Sequence, residues 1–196
     1  EVAESIFFDI FGDPTAASHW PVSTVAGIAS PARHAIVDGP FGSALKPADY
    51  TETGIPVIRI KNITPGGQLN TSDMLYISRE KFDTLRRSAL QPDDVLVSRV
   101  GTLGNTCVFP EGIGDALLST TGVCKVTVDR TKMLPLFLHA AFRTGAFQAQ
   151  IQKSASTSVQ KYFNLTALKG SKIIVPPLHL QVEFVQRLAA TSAVKS

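Results

Sequence analysis

Hydrophobic and polar positions follow a helical period at the two ends of the chain and after residue 133. In between they come in short strand-like bursts. "EVAESIFFDIF" (1–11) sets Val2, Ile6 and Ile10 on one helical stripe with Phe7 and Phe11 beside it. Gly12, Asp13 and Pro14 close that helix, and Glu1, Glu4, Asp9 and Asp13 fill its polar positions. A helix this short and this apolar needs something to pack on.

After "GDPTAASHW" the pattern turns to strands and turns. "IPVIRIKNI" (55–63) reads as a strand with Val57, Arg59 and Lys61 on one face and Ile58 and Ile60 on the other. "TPGGQLN" (64–70) is a turn and "MLYIS" (74–78) a second strand. "REKFDTLRRSAL" (79–90) is amphipathic, a helix with Ser78 as its N-cap. "DDVLVSRV" (93–100) runs out as a strand, "GTLGN" turns, and "TCVFP" runs back. "ALLST" and "GVCKVTV" add two more strands.

From Leu134 the helical period returns. "LPLFLHAAFRTGAFQAQIQK" (134–153) is helical with Gly145 as a joint, and a Ser/Thr-rich polar stretch (154–164) follows. "LTALKG" is a short helix and "KIIVPP" a last strand. "LHLQVEFVQRLAATSA" (178–193) closes as a helix whose apolar side carries Leu178, Val182, Val185 and Leu188. The fold class predicted is α/β (α+β): a β-rich domain on a mixed, curved sheet, with helices at both chain ends that pair with each other or with further sequence.

The chain has 196 residues, enough for one domain or one domain plus an appendage. At 18% charged it falls below the usual quarter for soluble domains, which hints at apolar surface covered by a partner. Its longest apolar run, near Met133–Phe142, is too short for a membrane span of about 20 residues, so no membrane partner is expected. It begins at Glu1, inside a helical pattern, and reads as part of a longer polypeptide. Cys107 and Cys124 are too few for a disulfide framework and read as two buried thiols of a cytoplasmic protein. Charge is unevenly spread. Residues 1–129 hold ten cations against fifteen acids, while residues 130–196 hold nine cations against Glu183 alone. A basic last third beside an acidic remainder suits a protein that meets a polyanion on one face.

Enzyme motifs are missing, and no cofactor is implied. There is no phosphate-binding G-x-x-x-x-G-K-[ST] loop and no G-x-S-x-G elbow, and the four His lie far apart. "QPDD" (91–94) resembles the first half of a nuclease site. The candidate Lys125, however, has Val123 where the second acid would stand, and a hard cation needs clustered oxygens. The Pro-Asp-Asp therefore reads as a turn entering a strand. "VPPL" has the prolines of a base-methylation motif but neither the amide nor the aromatic.

Binding residues remain. Arg59, Lys61 and Asn62 end one strand; Arg99 ends another, with Thr102 and Asn105 in the following turn. Ser156, Ser158, Gln160, Lys161 and Tyr162 lie on a polar loop after Lys153. Lys and Arg meet phosphates, while Arg, Asn, Gln, Ser and Thr hydrogen-bond to base edges. The stretch "DGPFGSALKPADY" (38–50) reads mainly as scaffold, with Phe41, Leu45 and Tyr50 pinning a Gly/Pro-shaped turn; Ser43 and Lys46 are its candidates for a DNA backbone.

The segments "SIFFDIFGDP", "DGPFGSALKPADYTETGIPVIRIKNITPGG", "YISREKFDTLRRSALQPDDVLVSRVGTLGNTCVFP" and "VPPLHLQVEFVQRL" run in an order that resembles the DNA-specificity (S) subunits of type I restriction–modification enzymes. The resemblance is to one target recognition domain. It implies that residues 1–14 end a helix conserved in the family, that 15–177 form the recognition domain, and that 178–196 start a long conserved helix. It further implies a non-catalytic subunit that reads half of a split site in double-stranded DNA. Such subunits dock methyltransferase (M) subunits, and a restriction (R) subunit joins the full complex. The other reading is a protein-interaction module that docks methyltransferase subunits with little DNA binding of its own. Self-association through the terminal helices fits either reading.

Overall fold

A computed structural model describes residues 2–12, 19–155 and 161–193. Eleven short strands and seven helices follow one another among these residues. The helices are α1 (Val2–Phe11), α2 (Val25–Ile28), α3 (Arg79–Thr84), α4 (Pro135–Arg143), α5 (Gly145–Ser154), α6 (Leu165–Gly170) and α7 (Leu178–Ala193). The strands are β1 (Val22–Thr24), β2 (Ile36–Asp38), β3 (Tyr50–Thr51), β4 (Ile55–Ile58), β5 (Leu75–Ile77), β6 (Ala89–Leu90), β7 (Val95–Ser98), β8 (Thr106–Val108), β9 (Ala116–Leu118), β10 (Val123–Val126) and β11 (Lys172–Ile174). The fold is mixed α+β with open sheets, as the residue pattern predicts.

The strands form three sheets rather than one. β2, β10, β7 and β8 make an antiparallel four-stranded sheet in that order. β3, β5, β4, β9 and β6 make a five-stranded sheet in which β4 and β9 run parallel. β1 pairs with β11 as a separate ribbon. The four-stranded sheet is covered on both faces, which is why β7 (VLVS) and β10 (VCKV) read as unbroken runs and are buried throughout. On one face lie α1 and α4–α7, packed through Phe7, Phe137, Phe142, Phe147, Phe163 and Phe184. On the other lie Ile58, Leu90 and Leu118 of the five-stranded layer, meeting Leu96, Cys107, Phe109 and Val123. The far side of that layer closes over Leu45, Val57, Ile77 and Phe82.

The terminal helices pack on each other. Phe7 meets Phe184 edge-on at 5.9 Å, Phe137 stacks on Phe7 at 5.5 Å, and Arg187 reaches Asp9 at 2.7 Å. The inward face of α7 is rotated from the expected stripe: Gln181 and Phe184 are fully buried and Val182 is exposed. The cause is polar. Gln181 Oε1 accepts from Leu134 N–H at 2.9 Å, and its Nε2 donates to the Lys132 and Pro176 carbonyls. It thus satisfies otherwise orphaned backbone groups at the starts of two helices.

Two elements depart from their predicted lengths. The strand at 55 ends at Ile58, and Ile60–Asn62 form a 3-10 turn, because Asn62 folds back to accept from Arg59 N–H at 2.9 Å. The helix capped by Ser78 ends at Thr84; a 3-10 turn at Arg86–Ser88 and β6 take the rest of "REKFDTLRRSAL". The α4–α5 joint is set by Thr144, whose hydroxyl donates to Ala141 O at 2.7 Å while its backbone is extended.

"QPDD" is a turn into β7, with Asp93 in the left-handed region at φ 70°. Asp94 is fully buried. Its carboxylate accepts from Gln91 N–H at 2.9 Å, from Lys125 Nζ at 2.8 Å and from the Thr127 hydroxyl. Asp94 of the nuclease-like "QPDD" and the candidate Lys125 are therefore each other's internal partner.

Candidate nucleic-acid interface

Three loops meet beside the four-stranded sheet, and one ion pair ties them together. Asp38 ends β2 and Arg99 follows β7. Arg99 Nη1 donates to Asp38 Oδ2 at 2.8 Å and to Thr121 O at 3.1 Å, and its Nε donates to Phe163 O at 3.0 Å. The backbone answers, with Phe163 N–H donating to Arg99 O at 3.2 Å and Val100 bridging to Tyr162. Arg87 binds the other Asp38 oxygen at 3.1 Å. Gly39 lets the chain pass close to the Ser119 and Thr120 carbonyls, where a Cβ would collide. The loops after β2, β7 and residue 160 are thereby held against one another.

Above this knot sits a cleft of about 300 Å³ lined by Asp38, Phe41, Arg99, Val100, Thr121 and Tyr162. Phe41 is 66% exposed and Tyr162 47%. Phe41 is thus not the anchor expected of it. Leu45 is buried and Tyr50 pairs in β3, but Phe41 stands out at the cleft mouth.

The predicted site residues separate into groups. Lys161 and Tyr162 are exposed beside the cleft, with Thr102 exposed in the neighbouring turn. Lys153 is exposed at the end of α5, and Ser43 and Lys46 are exposed on the 38–50 loop. Ser156, Ser158 and Gln160 lie outside the described residues. Arg99, expected at the DNA face, is 7% exposed and its guanidinium is spent on the knot, so it is a tie rather than a reader. Asn62 is likewise buried, donating to the Asn70 and Asp73 carbonyls. Arg59 and Lys61 both bind Asp73, and the Lys61 ammonium leads in holding that carboxyl below its usual range. Asn105 is half-buried and lines a separate cavity with Ala3, Glu4, Arg143 and Gln148. Gly104, at φ 78°, packs there against Gln148.

Charge pairing sharpens the contrast between the two parts of the chain. Of the cations after residue 129, Arg130, Lys132 and Arg187 are neutralised by Asp93, Asp129, Asp9 and Glu183. Lys153, Lys161 and Lys169 pair with no carboxylate among the described residues. No group of three or more His, Cys, Asp or Glu among those residues could hold a metal ion. Burial pushes both cysteine thiols up to about 12, which leaves them protonated and poor nucleophiles.

His139 lies under the 64–68 turn, with Nδ1 3.5 Å from the Thr106 hydroxyl. Burial, helped by the Arg143 cation, lowers its pKa to about 4. The unfolded chain therefore binds a proton that the folded chain refuses, so the folded state is favoured above pH 6.5 and loses ground as pH falls toward 4. The expected loss between pH 7 and pH 5 is roughly 1–2 kcal/mol. His139→Gln should flatten that slope in urea melts, and an unchanged slope would assign the acid sensitivity to other groups.

No family model matches the chain. A curated relative, the specificity subunit of the Escherichia coli type I restriction enzyme EcoBI, is 26% identical over 144 residues, covering 74% of this chain and 30% of that subunit. A chain from a solved type I restriction–modification system, studied for complex assembly and conformational transition, superposes with a TM-score of 0.69 at 15% identity, over 99% of this chain and 45% of that one. The HsdS subunit from Thermoanaerobacter tengcongensis superposes with a TM-score of 0.64 at 16% identity, over all of this chain and 45% of that one. The chain thus spans about a third to a half of the relatives it matches. In sequence and in fold it is similar to one part of the specificity subunits of type I restriction enzymes.

Proposed function

We propose that this chain is a non-catalytic DNA-reading domain of a type I restriction–modification specificity subunit. It selects one half-site of double-stranded DNA and directs methyltransferase subunits, and in the full complex the restriction subunit, to it. Residues 15–177 are the recognition domain, and 1–14 and 178–196 are its helical flanks. The observation that carries this reading is the face around the Asp38–Arg99 knot. There Phe41 and Tyr162 stand exposed at a cleft, with the unneutralised Lys161 beside them. Aromatic and apolar side chains meet base methyls and base faces, while free ammonium groups meet phosphates. Lys161 and Lys153 are the backbone contacts, with Ser43, Lys46 and Thr102 at the margins. Arg59 and Lys61 reach phosphate only by giving up Asp73.

The flanks support the partner half of the proposal. Val2, Phe8 and Val182 stay exposed on the paired terminal helices, an apolar surface suited to further helices.

The test is binding to random duplex across a salt series. Each phosphate contact contributes about 0.9 to the slope of log K against log salt, so a slope of about −2 or steeper is expected for Lys153 and Lys161 alone. Lys161→Ala should lower affinity and flatten the slope, and Tyr162→Ala should lower affinity at constant slope. Failure to bind even at low salt would leave the docking role as the function of the isolated chain.

A further inference from the structure

A second cleft adjoins the first across Asp38, and it is basic. It encloses about 400 Å³ between the 29–35 loop, β2 and α6, with Ser30, His34, Arg87 and Lys169 on its walls. No carboxylate lines it. Arg33, next to His34, is exposed and pairs with no acid among the described residues. Arg87 spends one nitrogen on Asp38, and its side chain, 43% exposed, lines the cleft with donors to spare. His34 is held in the left-handed region at φ 65°, which costs a non-glycine residue energy and fixes its place on the wall.

We propose that this cleft seats a backbone phosphate of the bound duplex, gripped by Arg87, Lys169 and His34. The inference rests on the DNA-reading role above and adds a contact that no sequence motif marks. The layout has the logic of a reading head. The aromatic cleft meets base edges, and the basic cleft beside it fixes the register by holding the strand. One carboxylate, Asp38, positions a wall of each. The phosphate form of the ligand is favoured because Arg87 and Lys169 are cations, Ser30 and His34 can donate hydrogen bonds, and no carboxylate lines the cleft to attract a positively charged partner.

The electrostatics of the free protein agree. Partial burial depresses the His34 pKa, and Arg33, Arg87 and Lys125 add to the effect, so His34 is neutral near pH 7. A phosphate between them reverses the field and favours the imidazolium. Duplex binding should therefore take up a proton, and affinity should rise as pH falls from 7 to 6.

The test uses the whole chain with random duplex. Wild-type binding that depends on salt establishes the DNA role first; without it, that role fails and the inference has no object. Given such binding, Lys169→Gln, an exposed change on α6, is expected to reduce the log–log slope by about one unit and to weaken binding uniformly across sequences. His34→Asn, a residue that tolerates the left-handed backbone, should abolish the gain in affinity at pH 6. A slope unchanged in Lys169→Gln, with the pH effect intact in His34→Asn, overturns the phosphate seat while leaving the DNA role standing. Inorganic phosphate should compete with duplex only at millimolar levels; competition at micromolar levels would make the cleft a free-phosphate site and overturn the assignment to DNA.

Discussion

Asp38→Ala should lower the unfolding free energy by about 3–5 kcal/mol, because it strands a buried guanidinium. Arg87 can swing into water when its carboxylate is lost. Arg99 cannot, since its Nε and Nη1 remain hydrogen-bonded to the Phe163 and Thr121 carbonyls and its surroundings are closed. Those two carbonyls supply dipoles but no countercharge, so the uncompensated charge decides the sign. The measurement is urea denaturation followed by far-UV circular dichroism. Asp38→Ala combined with Arg99→Met should recover most of the loss, because a buried pair replaced by apolar bulk costs little. A loss under about 1 kcal/mol in the single variant would mean that the loops are held by their backbone bridges alone.

Asp94→Ala belongs in the same class and should cost about 3–5 kcal/mol for a related reason. Lys125 lies in the middle of β10, between two packed layers, with its ammonium on Asp94. Removing the carboxylate also frees Gln91 N–H and the Thr127 hydroxyl, so three donors lose one acceptor. The remaining ammonium is left buried without a countercharge, which is what makes the loss large. Asp94→Ala with Lys125→Met should restore much of the stability, and no recovery would place the damage in the 91–94 turn itself.

Much of the scaffold was legible in the residue pattern because it rests on local periods. The terminal helices, the β7–β8 hairpin around "GTLGN", the paired helices after Leu134 and the Ser78 cap all appear where the sequence places them. What escaped it depends on contacts between distant residues. Three-residue strands such as Val22–Thr24 and Ile36–Asp38 are too short to show a period, and they exist because partners at 172–174 and 123–126 pair with them. Arg99 and Asn62 are the right residue types for DNA, and nothing local says that Asp38, sixty-one positions away, or the Asn70 carbonyl has already claimed them. Phe41 fails in the other direction. An aromatic residue in a Gly/Pro turn looks like an anchor, and only the position of Leu45 shows that the anchoring is done elsewhere. The basic cleft was invisible for a similar reason, since Arg87, His34 and Lys169 come from three separate stretches.

The touching helices α1 and α7 mean that the chain enters and leaves its sheets through a single stalk. The loops around the Asp38–Arg99 knot come from other stretches of the chain, and Asn105 of the β7–β8 turn shares a cavity with Ala3 and Glu4 of α1. Exposed residues there, such as Phe41 and Lys161, can change without altering how Phe7, Phe137 and Phe184 interlock. On the DNA-reading role proposed above, such a head is an exchangeable cartridge, its exposed side chains open to change while the mount stays the same.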